Sequence, residues 1–119
     1  KGYLFLEYPA CSTCRKAKKW LDEQKVNYTD RHIVEERPTC EELKIWFERS
    51  GLPLRKFFNT SGLLYKSMQL REKLDGMSEE EQLELLASDG KLVKRPLVIG
   101  EDFVLVGFKP EEWKTVLLK

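Results

Sequence analysis

Two periodicities share this chain, a short-range alternation suited to strands and a three-to-four residue spacing suited to helices. Residues 2–7 (GYLFLE) form a compact aromatic and aliphatic run stopped by Tyr8-Pro9, which predicts a buried strand ended by proline. From Ser12 to Gln24 the apolar positions Ala17, Trp20 and Leu21 follow i, i+3, i+4 spacing and predict an amphipathic helix. Val26–Val34 reads as a second strand, which makes the first third of the chain a βαβ unit with a right-handed crossover.

The middle of the chain is helical in pattern. Thr39-Cys40-Glu41-Glu42 has the form of a capping box, a hydroxyl and a glutamate answering each other's free backbone N–H, ahead of Leu43, Trp46 and Phe47 on one face. GLPLRKFFNTSG (51–62) is punctuated by Gly, Pro and Asn and predicts a loop with one short apolar turn. Leu63–Leu74 and Ser78–Ser88 predict two further helices, so residues 39–90 form a helical block. Leu97–Ile99 and Phe103–Val106 flank Gly100-Glu101-Asp102 as in a hairpin, and Pro110 followed by Glu111 and Glu112 opens a last helix. The order βα, β, helical block, ββ, α predicts an α/β fold, and 119 residues with no linker or repeat predict one domain over 1–119.

Charge changes the picture by exclusion. The 21 Lys and Arg nearly cancel the 20 Asp and Glu, so the basic excess of a general nucleic-acid binder is missing and no direct nucleic-acid contact is expected. No apolar run approaches the roughly 20 residues that cross a bilayer, so no membrane partner is expected. Three cysteines, an odd number, do not make a disulfide framework. A cytoplasmic location is the expectation.

The chemistry concentrates in YPACSTCRKAKKW, residues 8–20. A thiol attacks only as thiolate, and with an ordinary pKa of about 8.5 few are ionised at neutral pH. Cys11 at a helix N-terminus meets the free N–H groups of the first turn, including those of Ser12 and Thr13, and the positive end of the helix dipole. Cys14 lies one turn on and on the same face, within reach for a disulfide or a shared metal. First turns favour acids, yet this one carries Arg15 and Lys16, which suits an anion at Cys11 and marks Arg15 as the candidate cation; Lys18 and Lys19 read as a solvated face.

Three readings of the pair follow: a reactive dithiol, half of a zinc site, or inert packing. Zinc needs two more ligands, and only Cys40 and His32 remain, without a second CxxC or HxxxH, so no metal site is expected. Cys40, beside two glutamates, and His32, in the second strand, carry no predicted role in the chemistry. Arg95-Pro96 stands just before a β-run, where a proline suits a strand start or a cis turn.

Together, YPACSTCRKA, the helical block and LVKRPLVIGEDFVLVGF resemble the ArsC/Spx family of thioredoxin-fold proteins over essentially the whole chain. RKFFNTSGLLY and EQLELLASDGKLVKRPL look most like its small arsenate-reductase-related, Spx/MgsR-like branch. The resemblance implies a thioredoxin-like fold, a four-stranded mixed sheet flanked by helices. It implies Cys11 as nucleophile, Pro96 as a cis proline facing it, and no bound cofactor, with thioredoxin, glutaredoxin or glutathione as reductant.

Arsenate reductases of this kind hold the oxyanion with three arginines. Arg95 matches one; the second position falls on Asn59, in a segment that begins with Arg55, and the third near Gly107, and Glu7 replaces a family histidine. With two guanidinium groups missing, thiol–disulfide exchange is expected ahead of arsenate reduction. Cys14 matches the redox CxxC of Spx, a disulfide-stress regulator that contacts the RNA polymerase α subunit, and Gly51 is nearest to a glycine important in that pattern. Catalytic roles are thereby assigned to Cys11, Cys14 and Arg95, with Arg15, Ser12 and Thr13 stabilising the thiolate or a bound oxyanion.

Overall fold

The computed structural model describes residues 2–118. Strand β1 (Tyr3–Glu7) runs into helix α1 (Ser12–Glu23) and returns as β2 (Tyr28–His32). Helices α2 (Cys40–Ser50), α3 (Leu63–Ser67), α4 (Leu70–Lys73) and α5 (Glu79–Ser88) follow. Strands β3 (Leu97–Ile99) and β4 (Val104–Val106) and helix α6 (Pro110–Leu117) close the chain. The sheet order is β2-β1-β3-β4, with β1 parallel to β2 and antiparallel to β3, and β4 antiparallel to β3. This is the mixed four-stranded sheet that the family resemblance implies.

Alternation along the strands builds two cores. Phe5, Val98 and Leu105 share one face and pack with Ala17 and Leu21 of α1 and the fully buried Trp113 of α6. Leu6, Leu97, Ile99 and Val104 face the other way, against Leu43 and Trp46 of α2, Phe57, and Leu83 and Leu86 of α5. The predicted Thr39 cap forms, accepting from the Glu42 N–H, and Ser78 caps α5 in the same way from the Glu81 N–H, each glutamate answering the cap's own N–H. Arg31 grips Glu42 through two 2.9 Å bonds and tethers α2 to β2.

Three expected elements are shorter in the fold. The second strand stops at His32 because the His32 Nδ1 accepts the N–H groups of Val34 and Glu35 at 3.2 and 3.0 Å and turns the backbone out of the ladder. The fourth strand starts at Val104 because Phe103 still belongs to the turn, its carbonyl accepting the Gly100 N–H at 2.9 Å.

The single helix expected over Leu63–Leu74 is broken at Gln69, which is left-handed at φ 55°. Tyr65 and Leu70 are both buried, yet five residues of continuous helix would set them about 140° apart. The left-handed residue rephases the chain so that both reach the core.

No helix among the described residues is long and apolar enough to cross a membrane. Gly51, at φ 69°, ends α2 in the left-handed conformation that glycine adopts without strain.

Candidate functional site

The loop between β1 and α1 sets the two thiols. Proline stops the strand, the Cys11 N–H bonds back to the Tyr8 carbonyl at 2.9 Å, and Cys11 becomes the N-cap of α1 with extended backbone (φ −86°, ψ 123°). Its side chain therefore sits over the free N–H groups of the first helical turn. Cys14 is fully buried one turn on, and its Sγ accepts the Tyr8 N–H at 3.4 Å. All three cysteines are free thiols.

The environment drives the two thiols apart. Burial pushes the Cys11 thiol up, but hydrogen bonds outweigh it and leave its pKa below the ordinary value: they come from the Cys14 N–H and thiol, the Thr13 N–H and the Arg95 guanidinium. Burial raises Cys14 to about 12; the Tyr8 N–H opposes that rise, while the neighbouring Cys11 charge and hydrogen bond add to it. The arrangement makes Cys11 the more readily ionised of the two thiols and keeps the proton on Cys14.

Arg95 reaches this site from the far side of the sequence. The Arg95-Pro96 peptide bond is cis, and the guanidinium is held by the Lys91 carbonyl at 3.1 Å and over the Tyr8 ring at 5.1 Å. The other predicted side chains contribute less directly. Thr13 acts through its backbone, the exposed Ser12 hydroxyl makes no hydrogen bond among the described residues, and Arg15 donates to the Pro9 carbonyl at 2.9 Å, bracing the loop. Lys18 is more than a solvated cation, because it pairs with Asp30 of β2 at 2.6 Å. Among the described residues no three His, Cys, Asp or Glu side chains gather in a way that would hold a metal ion.

A groove of about 870 Å³ opens beside Cys11. Cys11, Thr13 and Arg95 line it together with parts of the segment joining α2 to α3 and residues 106–109, from the last residue of β4 onward. Asn59 and Gly107, where the resemblance would place oxyanion-binding arginines, both line this groove. The three positions converge in space, and only Arg95 carries a guanidinium.

The ArsC family model matches residues 6–116. The chain belongs to the ArsC family. Its α/β architecture is the thioredoxin-like fold of that family. An ArsC family related protein from Bacteroides fragilis, known from its crystal structure, is 64% identical and superposes with a TM-score of 0.94 over 97% of each chain. YusI of Bacillus subtilis is 56% identical over 110 residues, 92% of this chain and 93% of that protein. The regulatory protein MgsR of the same organism is 32% identical over 108 residues, 91% of this chain and 84% of MgsR.

Two features of this ArsC family site escape a linear reading. Glu7, the acid inside the apolar first strand, is only 7% exposed, and burial followed by the Asp30 carboxyl raises its pKa to about 7 against the pull of Lys18. Its sequence signals are an acid where the strand pattern asks for an apolar residue and its place at a family histidine position. Lys56, Lys94 and Lys109 all line the groove, and nothing in their separate surroundings along the chain links them.

Proposed function

We propose that this ArsC family chain is a thiol–disulfide oxidoreductase in which Cys11 attacks and Cys14 resolves. The observation that carries the reading is the opposed pair of thiols, one lowered by hydrogen bonds at a helix start, the other buried against the Tyr8 N–H and raised to about 12. The Cys11 thiolate attacks one sulfur of a substrate disulfide, and the departing sulfur takes up a proton. Cys14 then loses its proton and attacks the Cys11 sulfur, releasing the second substrate thiol and leaving a Cys11–Cys14 disulfide. Two electrons pass from the dithiol to the substrate, and an external thiol reductant of the thioredoxin, glutaredoxin or glutathione class restores the pair in the cytoplasm.

Efficient arsenate reduction is not part of this proposal, because Asn59 and Gly107 supply no charge-assisted donor where arginines would clamp the anion. The test is a redox titration of the purified chain with mass spectrometry of alkylated thiols. A reversible Cys11–Cys14 bond between roughly −270 and −200 mV supports the reading. Ordinary Cys11 reactivity without a reversible bond overturns it.

A second reading, a redox-sensing regulator, is favoured by the likeness to MgsR over most of both chains. Here the same disulfide would alter affinity for a partner, and the Spx resemblance names the RNA polymerase α subunit. Co-purification with that subunit's C-terminal domain in one redox state but not the other supports this reading; absence of binding in both states removes it.

A further inference from the structure

The groove beside Cys11 is sharply segregated in charge. Acids and bases nearly balance in the whole chain, 20 against 21, yet the groove is lined by Arg55, Lys56, Lys94, Arg95 and Lys109 and by no Asp or Glu. Arg55 is partly neutralised by Asp75 at 2.6 Å, in an exposed pair, and Arg95 serves Cys11. Lys56, Lys94 and Lys109 make no side-chain ion pair among the described residues. The uncompensated charge is therefore available to a ligand.

Size and polarity narrow the occupant. At roughly 30 Å³ per water, a tetrahedral oxyanion a few waters in size fills only a small part of about 870 Å³. The lining also offers apolar surface, including Leu63, which is 87% exposed, and Leu52, which is 37% exposed. A bare anion has no use for either leucine. Nucleic acid offers matching charge but no sulfur for Cys11 to attack. A polypeptide carrying acidic residues and apolar side chains around a cysteine satisfies all three requirements: charge, apolar contact and a sulfur.

We propose that this groove docks an acidic polypeptide segment whose cysteine, held in a disulfide, is the sulfur that Cys11 attacks. The proposal rests on Cys11 being the attacking thiol and adds the substrate class. The step is the exchange already described: a bond forms between Cys11 and the peptide sulfur, the peptide disulfide breaks, and the released thiol takes a proton. Cys14 then frees the peptide thiol, and both electrons come from the chain's own dithiol.

The experiment uses the full reduced chain and short peptides differing only in the residues flanking one cysteine, which is capped with 2-mercaptoethanol through a disulfide. Acidic, neutral and basic flanks are compared with oxidised glutathione, following release of 2-mercaptoethanol. The readout is the ratio of second-order rates, acidic over neutral, taken within each protein. The acidic peptide is expected to react about tenfold faster than the neutral one at low salt, with the basic peptide slowest. The ratio should fall toward one near 1 M salt, where the screening length is about 3 Å, and in the triple variant Lys56→Gln, Lys94→Gln, Lys109→Gln.

A ratio of one in the wild type, with every peptide still reacting at Cys11, overturns the docking proposal and leaves the thiol reading intact. Oxidised glutathione reacting as fast as the acidic peptide also overturns it, in favour of a small anionic disulfide. Failure of all disulfides to react overturns the thiol reading itself. Because the salt series is read on the wild type, the proposal stays testable if the triple variant does not fold.

Discussion

The backbone N–H of Tyr8 donates to the Sγ of Cys14 at 3.4 Å. This bond ties the buried thiol to the end of β1 and leaves Cys11, at the helix start, as the thiol that lines the groove. The two cysteines are thus unequal before any substrate arrives.

That inequality predicts different fates for two variants. Cys14→Ser should accumulate a stable mixed disulfide at Cys11 after exposure to a peptide disulfide, because the resolving sulfur is gone. Cys11→Ser should form none at Cys14. Peptide-mapping mass spectrometry under non-reducing conditions reads both and separates any adduct at the half-buried Cys40; a stable adduct at Cys14 in Cys11→Ser would contradict the assignment.

Arg95→Ala removes a charge-assisted donor from the Cys11 thiol and should move the pH midpoint of Cys11 alkylation upward, slowing alkylation several-fold at neutral pH. Arg95→Lys should restore part of the effect. An unchanged midpoint in Arg95→Ala would mean that the helix N–H groups suffice alone.

Glu7 makes stability depend on pH with a definite sign. Its folded pKa, about 7, lies above the ordinary 4.5, raised chiefly by burial, so the fold favours the protonated carboxyl. Its contribution is fully present below about pH 4.5 and is lost as pH rises through 7. Glu7→Gln, which keeps a neutral hydrogen-bonding group, should flatten stability across that window and be more stable than the wild type at pH 8, by of order 1–3 kcal/mol. Urea unfolding at several pH values between 4 and 8 measures it; a parallel pH profile in the variant would refute the assignment.

Two glycines should respond differently to alanine. A Cβ on Gly90 would run into the Ile33 carbonyl oxygen and the Val34 Cα, both backbone, so Gly90→Ala should cost about 3 kcal/mol or more. Gly51 has open space around it and φ 69°, so Gly51→Ala should cost only about 1–2 kcal/mol of backbone strain. The shift in urea midpoint at constant slope distinguishes the two.

Trp113→Phe tests the support beneath the groove. The Trp113 Nε1–H donates to the Gly107 carbonyl at 3.0 Å in a buried setting, and phenylalanine leaves that oxygen without this donor. A loss of about 1–3 kcal/mol is expected in urea unfolding.

Local patterning determined much of this protein. The capping boxes at Thr39 and Ser78, the proline stop before Cys11 and the alternating strands are all short-range effects, legible because the residues that interact are neighbours in sequence. The CxxC at a helix start belongs to the same class, and so do the Cys14 and Thr13 N–H groups that favour ionisation of Cys11. Tertiary structure decided the rest. Gln69 turns left-handed because Tyr65 and Leu70 must both reach a core that local spacing does not describe. Glu7 is raised because the fold buries it and β2 brings Asp30 beside it. Arg95 meets Cys11, and Lys56, Lys94 and Lys109 converge with them on one groove, because the sheet and its connections bring distant segments together. Burial and electrostatics depend on distance through space, and a linear pattern carries that distance only between near neighbours.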